Sequence, residues 1–172
     1  NILTKAQKSR KADIALMLAE SWHQQGDYKK SLEYYNIATQ NSRRKLPREV
    51  EFKIGFCKMK NEDYQGAIEH FTKVADKNDE LAQYASYYMA QCYTNTDQDK
   101  FARNTFLKAY KMNYNDTLKE NALYNYAVLS FIPGIDPFGE SINILNEYIK
   151  NNPQSSQLSD LQDIAIHPLL NS

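Results

Sequence analysis

A chain of 172 residues is long enough to build one domain with a sizeable core. Its 21 basic and 21 acidic residues balance, which excludes the one-signed electrostatic footprint expected of a nucleic-acid or anionic-membrane binder. Five Gly and five Pro are too few for a strand-rich fold built on tight turns, and no run of about 18 apolar residues offers a membrane span.

In chain order, residues 1–9 read as the tail of a helix with Ile2, Leu3 and Ala6 on its apolar side. Residues 11–25 read as a second helix, with Ile14, Leu18 and Trp22 four apart. Gly26-Asp27 ends that helix and starts the next, over 28–41, which carries Leu32, Tyr35 and Ala38. Pro47 suits the first turn of a helix over 48–61, which holds Val50, Ile54 and Cys57, with Phe52, Phe56 and Met59 on another side. Helices follow over 63–76, 80–94, 98–112, 117–131 and 138–151, separated by Asn- and Asp-rich breaks. The longest break, Ile132 to Pro137, contains two prolines that no helix interior accepts. A last short helix over 157–166 stops before Pro168. Basic clusters at Lys5–Lys11 and Arg43-Arg44-Lys45 are expected at helix ends, where cations favour the dipole. Because the chain opens on Asn1, we read it as a piece of a longer polypeptide.

Differences between matching residues expose a repeat. The small residues Ser31, Ala67, Ala102 and Ser141 fall 36, 35 and 39 apart, and the large residues Tyr35, Phe71, Phe106 and Leu145 keep those intervals. Cys57 and Cys92 are 35 apart, so they hold equivalent places in neighbouring repeats. Helices in such repeats stack at about 8–10 Å, too far for a disulfide, so both are expected to be small buried hydrophobes.

A period near 34 residues in helix–turn–helix units resembles the tetratricopeptide repeat. The likeness covers residues 12–153. Leu18-Ala19 with Trp22, and Met89-Ala90 with Tyr93, match the first-helix pattern of a leucine, a small residue and an aromatic. Ile54-Gly55 and Tyr126-Ala127 match its first part, with Lys58 and Ser130 where the aromatic stands. The resemblance implies an all-α, right-handed superhelical solenoid of about four repeats plus partial terminal helices. Residues 1–10 would close a preceding repeat. The four repeats would be 11–44, 45–78, 79–115 and 116–153, with 154–172 a capping helix or tail. Stretches such as Glu80–Tyr88 and Asn125–Leu129, with Asp136-Pro137-Phe138, resemble the large tetratricopeptide proteins of Bacteroidetes-type bacteria, usually exported to the periplasm or held at the outer membrane. A cytoplasmic home is the alternative.

Catalytic patterns are few. His23, His70 and His167 lie on different predicted repeats, and the chain has no HExxH, CxxC or Gly-rich phosphate loop. We expect no enzyme activity, no cofactor and no metal. The family's first helices line the inside of the superhelix, which points to a peptide-binding set of Leu16, Glu20, Phe52, Phe56, Met59, Tyr84, Tyr87, Gln91, Tyr124 and Phe131, with His23, Gln24 and Val128 beside them. The same residues, shifted by one position, would instead form inter-repeat core, and both readings stand at this point. The inward Lys, Asn and Arg clamp of tetratricopeptide domains that hold chaperone tails is absent. The expected partner is a protein or peptide with an apolar or aromatic segment, in a bacterial envelope assembly or secretion complex, with no direct nucleic-acid contact. Two other classes fit the repeat: an input module of a bacterial transcriptional regulator, and a glycan-binding or enzyme-associated module.

Overall fold

The structure, a computed structural model, describes residues 2–42, 44–132, 135, 139–155 and 159–163, with side chains from Gln7 onward. It is all-α, and no strand forms among the described residues. The helices are α1 (Ile2–Gln24), α2 (Tyr28–Asn41), α3 (Arg48–Lys60), α4 (Tyr64–Thr72), α5 (Glu80–Thr94), α6 (Asp99–Tyr110), α7 (Asp116–Ser130) and α8 (Glu140–Asn151), with a helical turn at residues 159–163.

Short polar residues start four of them. The side chains of Asp27, Asp63, Asp79 and Asn115 accept the backbone N–H of Lys30, Gly66, Ala82 and Leu118 at 3.0, 3.0, 2.8 and 2.9 Å, each satisfying a donor that the first helical turn leaves open. The tight turns before α2, α4 and α6 each pass through one residue of positive φ: Gly26 at 77°, Glu62 at 64° and Asp97 at 55°. These positions are 36 and 35 residues apart, the same intervals as the buried pairs.

The chain forms two compact units, residues 1–76 and 77–172. In the first, α1 packs on α2, α2 on α3 and α3 on α4. Its core joins Ala19, Tyr35, Ile54 and Cys57, all essentially without exposure. Small residues permit the close approach: the Ser31 hydroxyl donates to the Ala19 carbonyl at 2.9 Å and receives the Cys57 thiol at 3.4 Å. In the second unit, α5 packs on α6, α6 on α7 and α7 on α8, and α5 also touches α7. Its core gathers Phe106, Leu123, Tyr126, Leu145 and Leu161 around the small residues Ala90, Ala102 and Ala127.

Two polar devices hold the second unit. Gln83 is fully buried; its amide donates to the carbonyls of Ala109 and Met112 at 3.2 and 2.9 Å and accepts the Asn115 N–H at 2.9 Å, tying α5 to the α6–α7 connection. Arg103 is also buried, and donates to the hydroxyls of Ser130 (2.9 Å) and Tyr126 (3.0 Å) while its guanidinium lies 4.7 Å from the Tyr126 ring centre.

Three expectations change. The predicted break between residues 9 and 11 does not occur, since Ile2–Gln24 contains neither Gly nor Pro and continues as one helix. The Lys5–Lys11 cluster therefore sits inside a helix rather than at its end. The buried side of α1 is Ala12, Ala15 and Ala19, and the stripe Ile14, Leu18 and Trp22 lies outside it. Helix α4 ends at Thr72 rather than 76, although Val74 and Ala75 beyond it stay buried. Of the predicted 157–166 helix, residues 159–163 are helical and the remainder lies outside the described residues, as do Arg43, Pro133, Gly134, Asp136–Phe138 and His167.

Candidate functional site

The residues expected to line an inner face lie on α1 and α3 in the first unit, and on α5, α7 and, for Phe131, the turn that closes α7 in the second. In the first unit, Leu16, Glu20, His23, Phe52, Phe56 and Met59 are all half-buried, and Gln24 is exposed. Leu16 leans on the core of Ala19, Tyr35, Ile54 and Cys57. Phe56 is enclosed by rings, with His23 at 5.8 Å and Tyr28 at 5.5 Å between centroids, and the Lys60 ammonium lies 5.3 Å from its centre. Phe52 stacks on Phe56 at 6.4 Å and reaches the fully buried Phe71 at 5.6 Å. The face is therefore an aromatic layer anchored on the core.

An ion pair also joins this layer. Glu20 accepts the Tyr35 hydroxyl at 2.8 Å and pairs with the Lys53 ammonium, linking α1, α2 and α3. Burial alone would raise the Glu20 carboxyl, but the hydrogen bonds from Lys53 and Tyr35 outweigh it and hold the group below the ordinary carboxylate range. Burial, and then the Lys53 charge, lower the His23 imidazole. Burial and the Glu20 bond push the Tyr35 phenol far up, so it stays a neutral donor.

In the second unit, Tyr84 stacks on Tyr88 at 6.5 Å and its hydroxyl accepts the Asn115 side-chain amide at 3.0 Å. Tyr87 sets its ring edge-on to Tyr88 and to the buried Phe106, at 5.6 and 5.5 Å. Gln91 is half-buried one turn further along α5. On α7, Tyr124 and Val128 are four apart and so share a face; they are 38% and 44% exposed. Phe131 is half-buried against the core of the unit. Tyr87 and Phe131 thus divide their surface between core and solvent, whereas Tyr124 and Val128 stand in solvent.

A second surface in the first unit lies outside the expected set. The side of α1 opposite its alanine face leaves Ile14, Met17 and Leu18 53%, 73% and 40% exposed. Ile14 and Leu18, with Tyr34 and Ile37 of α2, line a cleft of about 370 Å³, with Gln7, Arg10 and Lys11 also on its wall. The signal was present in the sequence: Ala12, Ala15 and Ala19 mark the side that lets α2 approach, which leaves the large residues of the same helix outside.

Among the described residues, no helix is long and apolar enough to cross a membrane. No known protein family matches this chain in sequence, and no curated protein matches it.

Proposed function

We propose that this chain is a non-catalytic scaffold of tetratricopeptide-repeat type, whose helix pairs stack into a right-handed superhelix and bind a protein or peptide through an apolar and aromatic face. The repeat reading is supported by recurrence: Ser31, Ala67, Ala102 and Ser141 are buried, and so are Tyr35, Phe71, Phe106 and Leu145. The binding reading rests on one observation, the solvent-standing Tyr124–Val128 face of α7, on a helix that touches the tyrosine-bearing α5. Exposed aromatic and branched apolar side chains beside half-buried tyrosines match the composition of recognition surfaces. The partner is an apolar or aromatic segment, extended or helical. The resemblance in phrasing supports a role in a bacterial envelope assembly, which fractionation of the source cells tests directly.

An array of synthetic 15-residue peptides rich in Phe, Leu and Tyr, titrated with the wild-type chain, tests the binding face. Val128→Asp and Tyr124→Ala alter solvent-standing side chains, so their thermal melts should match wild type. A subset of peptides should bind wild type and lose at least about tenfold in affinity to Val128→Asp, the scale of one lost hot-spot contact. Binding untouched by both substitutions, or no peptide bound at all, refutes the face.

A further inference from the structure

The cleft between α1 and α2 combines an apolar floor with a basic wall. Its floor is apolar, formed by Ile14 and Leu18 of α1 with Tyr34 and Ile37 of α2. Its wall at one end carries Arg10 and Lys11 and no acidic side chain. Both cations are exposed and neither forms an ion pair among the described residues. At the other end Lys30 is already engaged, 4.1 Å from the centre of the Trp22 ring and 3.0 Å from Asp27.

We propose that this cleft is a docking site for an amphipathic helix of a partner protein, which lays an apolar stripe along Ile14, Leu18, Tyr34 and Ile37 and sets acidic residues against Arg10 and Lys11. The shape argument is that a groove between two packed helices is the natural seat for a third, through ridges of side chains repeating every three to four residues. The charge argument identifies the occupant. A second copy presents no acidic side chain on this face to pair the two cations, whereas an acidic helix gains from both.

The test uses the 172-residue chain with two labelled, Ala-rich helical peptides read by fluorescence anisotropy. Both carry Leu at i, i+4, i+7 and i+11; one has Glu at the flanking positions and the other Lys. The Glu peptide should bind at least about tenfold more tightly, and the double substitution Arg10→Glu, Lys11→Glu should invert that order. Leu18→Asp should abolish binding of both peptides, with helix content by circular dichroism unchanged. Equal affinity for the two peptides, no binding, or an order indifferent to the charge reversal overturns the proposal. Two further outcomes also overturn it. One is a dimer in sedimentation equilibrium that Ile14→Asp dissolves, which assigns the cleft to a second copy. The other is loss of peptide binding in the longest natural polypeptide that contains this chain, which assigns the cleft to that polypeptide's own helix.

Discussion

Gly55 shows how little room the repeat leaves where two helices of a pair meet. A Cβ at that position would lie 3.0 and 3.1 Å from two ring carbons of the fully buried Phe71, and 3.2 Å from the Cβ of His70. Neither neighbour is the end of a flexible chain, so the strain has nowhere to go. Helix propensity alone would make Gly55→Ala stabilising by about 1 kcal/mol, but overpacking a tight core costs about 1–3 kcal/mol. The steric effect wins, and urea melts of Gly55→Ala should show a net loss of up to about 2 kcal/mol; a gain would show that α3 and α4 can separate at no cost. Glu62 presents the opposite case. It sits at φ 64°, where its repeat counterpart is Gly26 and where a side chain is strained by about 1–2 kcal/mol. Glu62→Gly should therefore raise stability by about 0.5–1 kcal/mol, part of the relief being offset by the freedom glycine gains in the unfolded chain. An unchanged or lowered urea midpoint would remove the argument for strain in that turn. Arg103 and Ser130 explain another departure from the repeat pattern. The small Ser130 stands where two other copies in this chain carry Trp22 and Tyr93, and its hydroxyl accepts the Arg103 guanidinium.

At the scale of helices, the sequence was most legible where a side chain has a strictly local duty. Asp27 is legible as a helix start because an acidic residue at an N-cap bonds an amide three residues on, with no help from tertiary structure, and Asp63 and Asp79 do the same. The buried small-and-large series was legible because four copies of it constrain one another. Helix α1 is less so: its basic cluster suits a terminus, yet cations are tolerated in a helix interior and no breaker accompanies them. Periodicity identifies Ile14, Leu18 and Trp22 as an apolar side and cannot say that the narrow alanine side is the one α2 covers. The inner-face set was legible as a group of helix positions, whereas the division of Tyr87 and Phe131 between core and solvent depends on ring orientations that sequence does not carry. The α3–α4 contact also holds the clearest pH response. His70 Nδ1 lies 2.7 Å from a Glu51 carboxylate oxygen that Lys73 also reaches at 3.2 Å. Burial lowers the His70 imidazole, outweighing the Glu51 bond, and burial lowers His23 as well. In the unfolded chain both imidazoles take up protons near pH 6.5, while in the folded chain they do so only at lower pH. The unfolded state then binds more protons in that window, so stability is full above about pH 6.5 and falls as pH drops through the folded values. The urea midpoint should be lower at pH 5.5 than at pH 7.5, with a smaller drop in His70→Gln. A midpoint that rises on acidification would mean that Glu51 governs this histidine.

At the scale of the whole molecule, each compact unit contains a core cluster of its own: Ala19, Tyr35, Ile54 and Cys57 in residues 1–76, and the Phe106–Tyr126–Leu145 group in residues 77–172. Within each unit, helices pack chiefly on their neighbours in the chain, the arrangement that makes repeat proteins close to a sum of local terms. Damage to one core should then open that unit before the other. Phe71 is the sharpest probe, being fully buried, against Phe52 and the narrow Gly55. Phe71→Ala should cost about 3–5 kcal/mol in the first unit. Read by native-state hydrogen exchange, that loss corresponds to roughly two to four orders of magnitude faster exchange for the most protected amides of α3 and α4. The amides of α6 and α7, bound into the Arg103 and Gln83 networks, should keep rates close to wild type. Equal acceleration in α3–α4 and α6–α7 would mean that the 172 residues open as one cooperative body, and the nearest-neighbour description of this chain would fail.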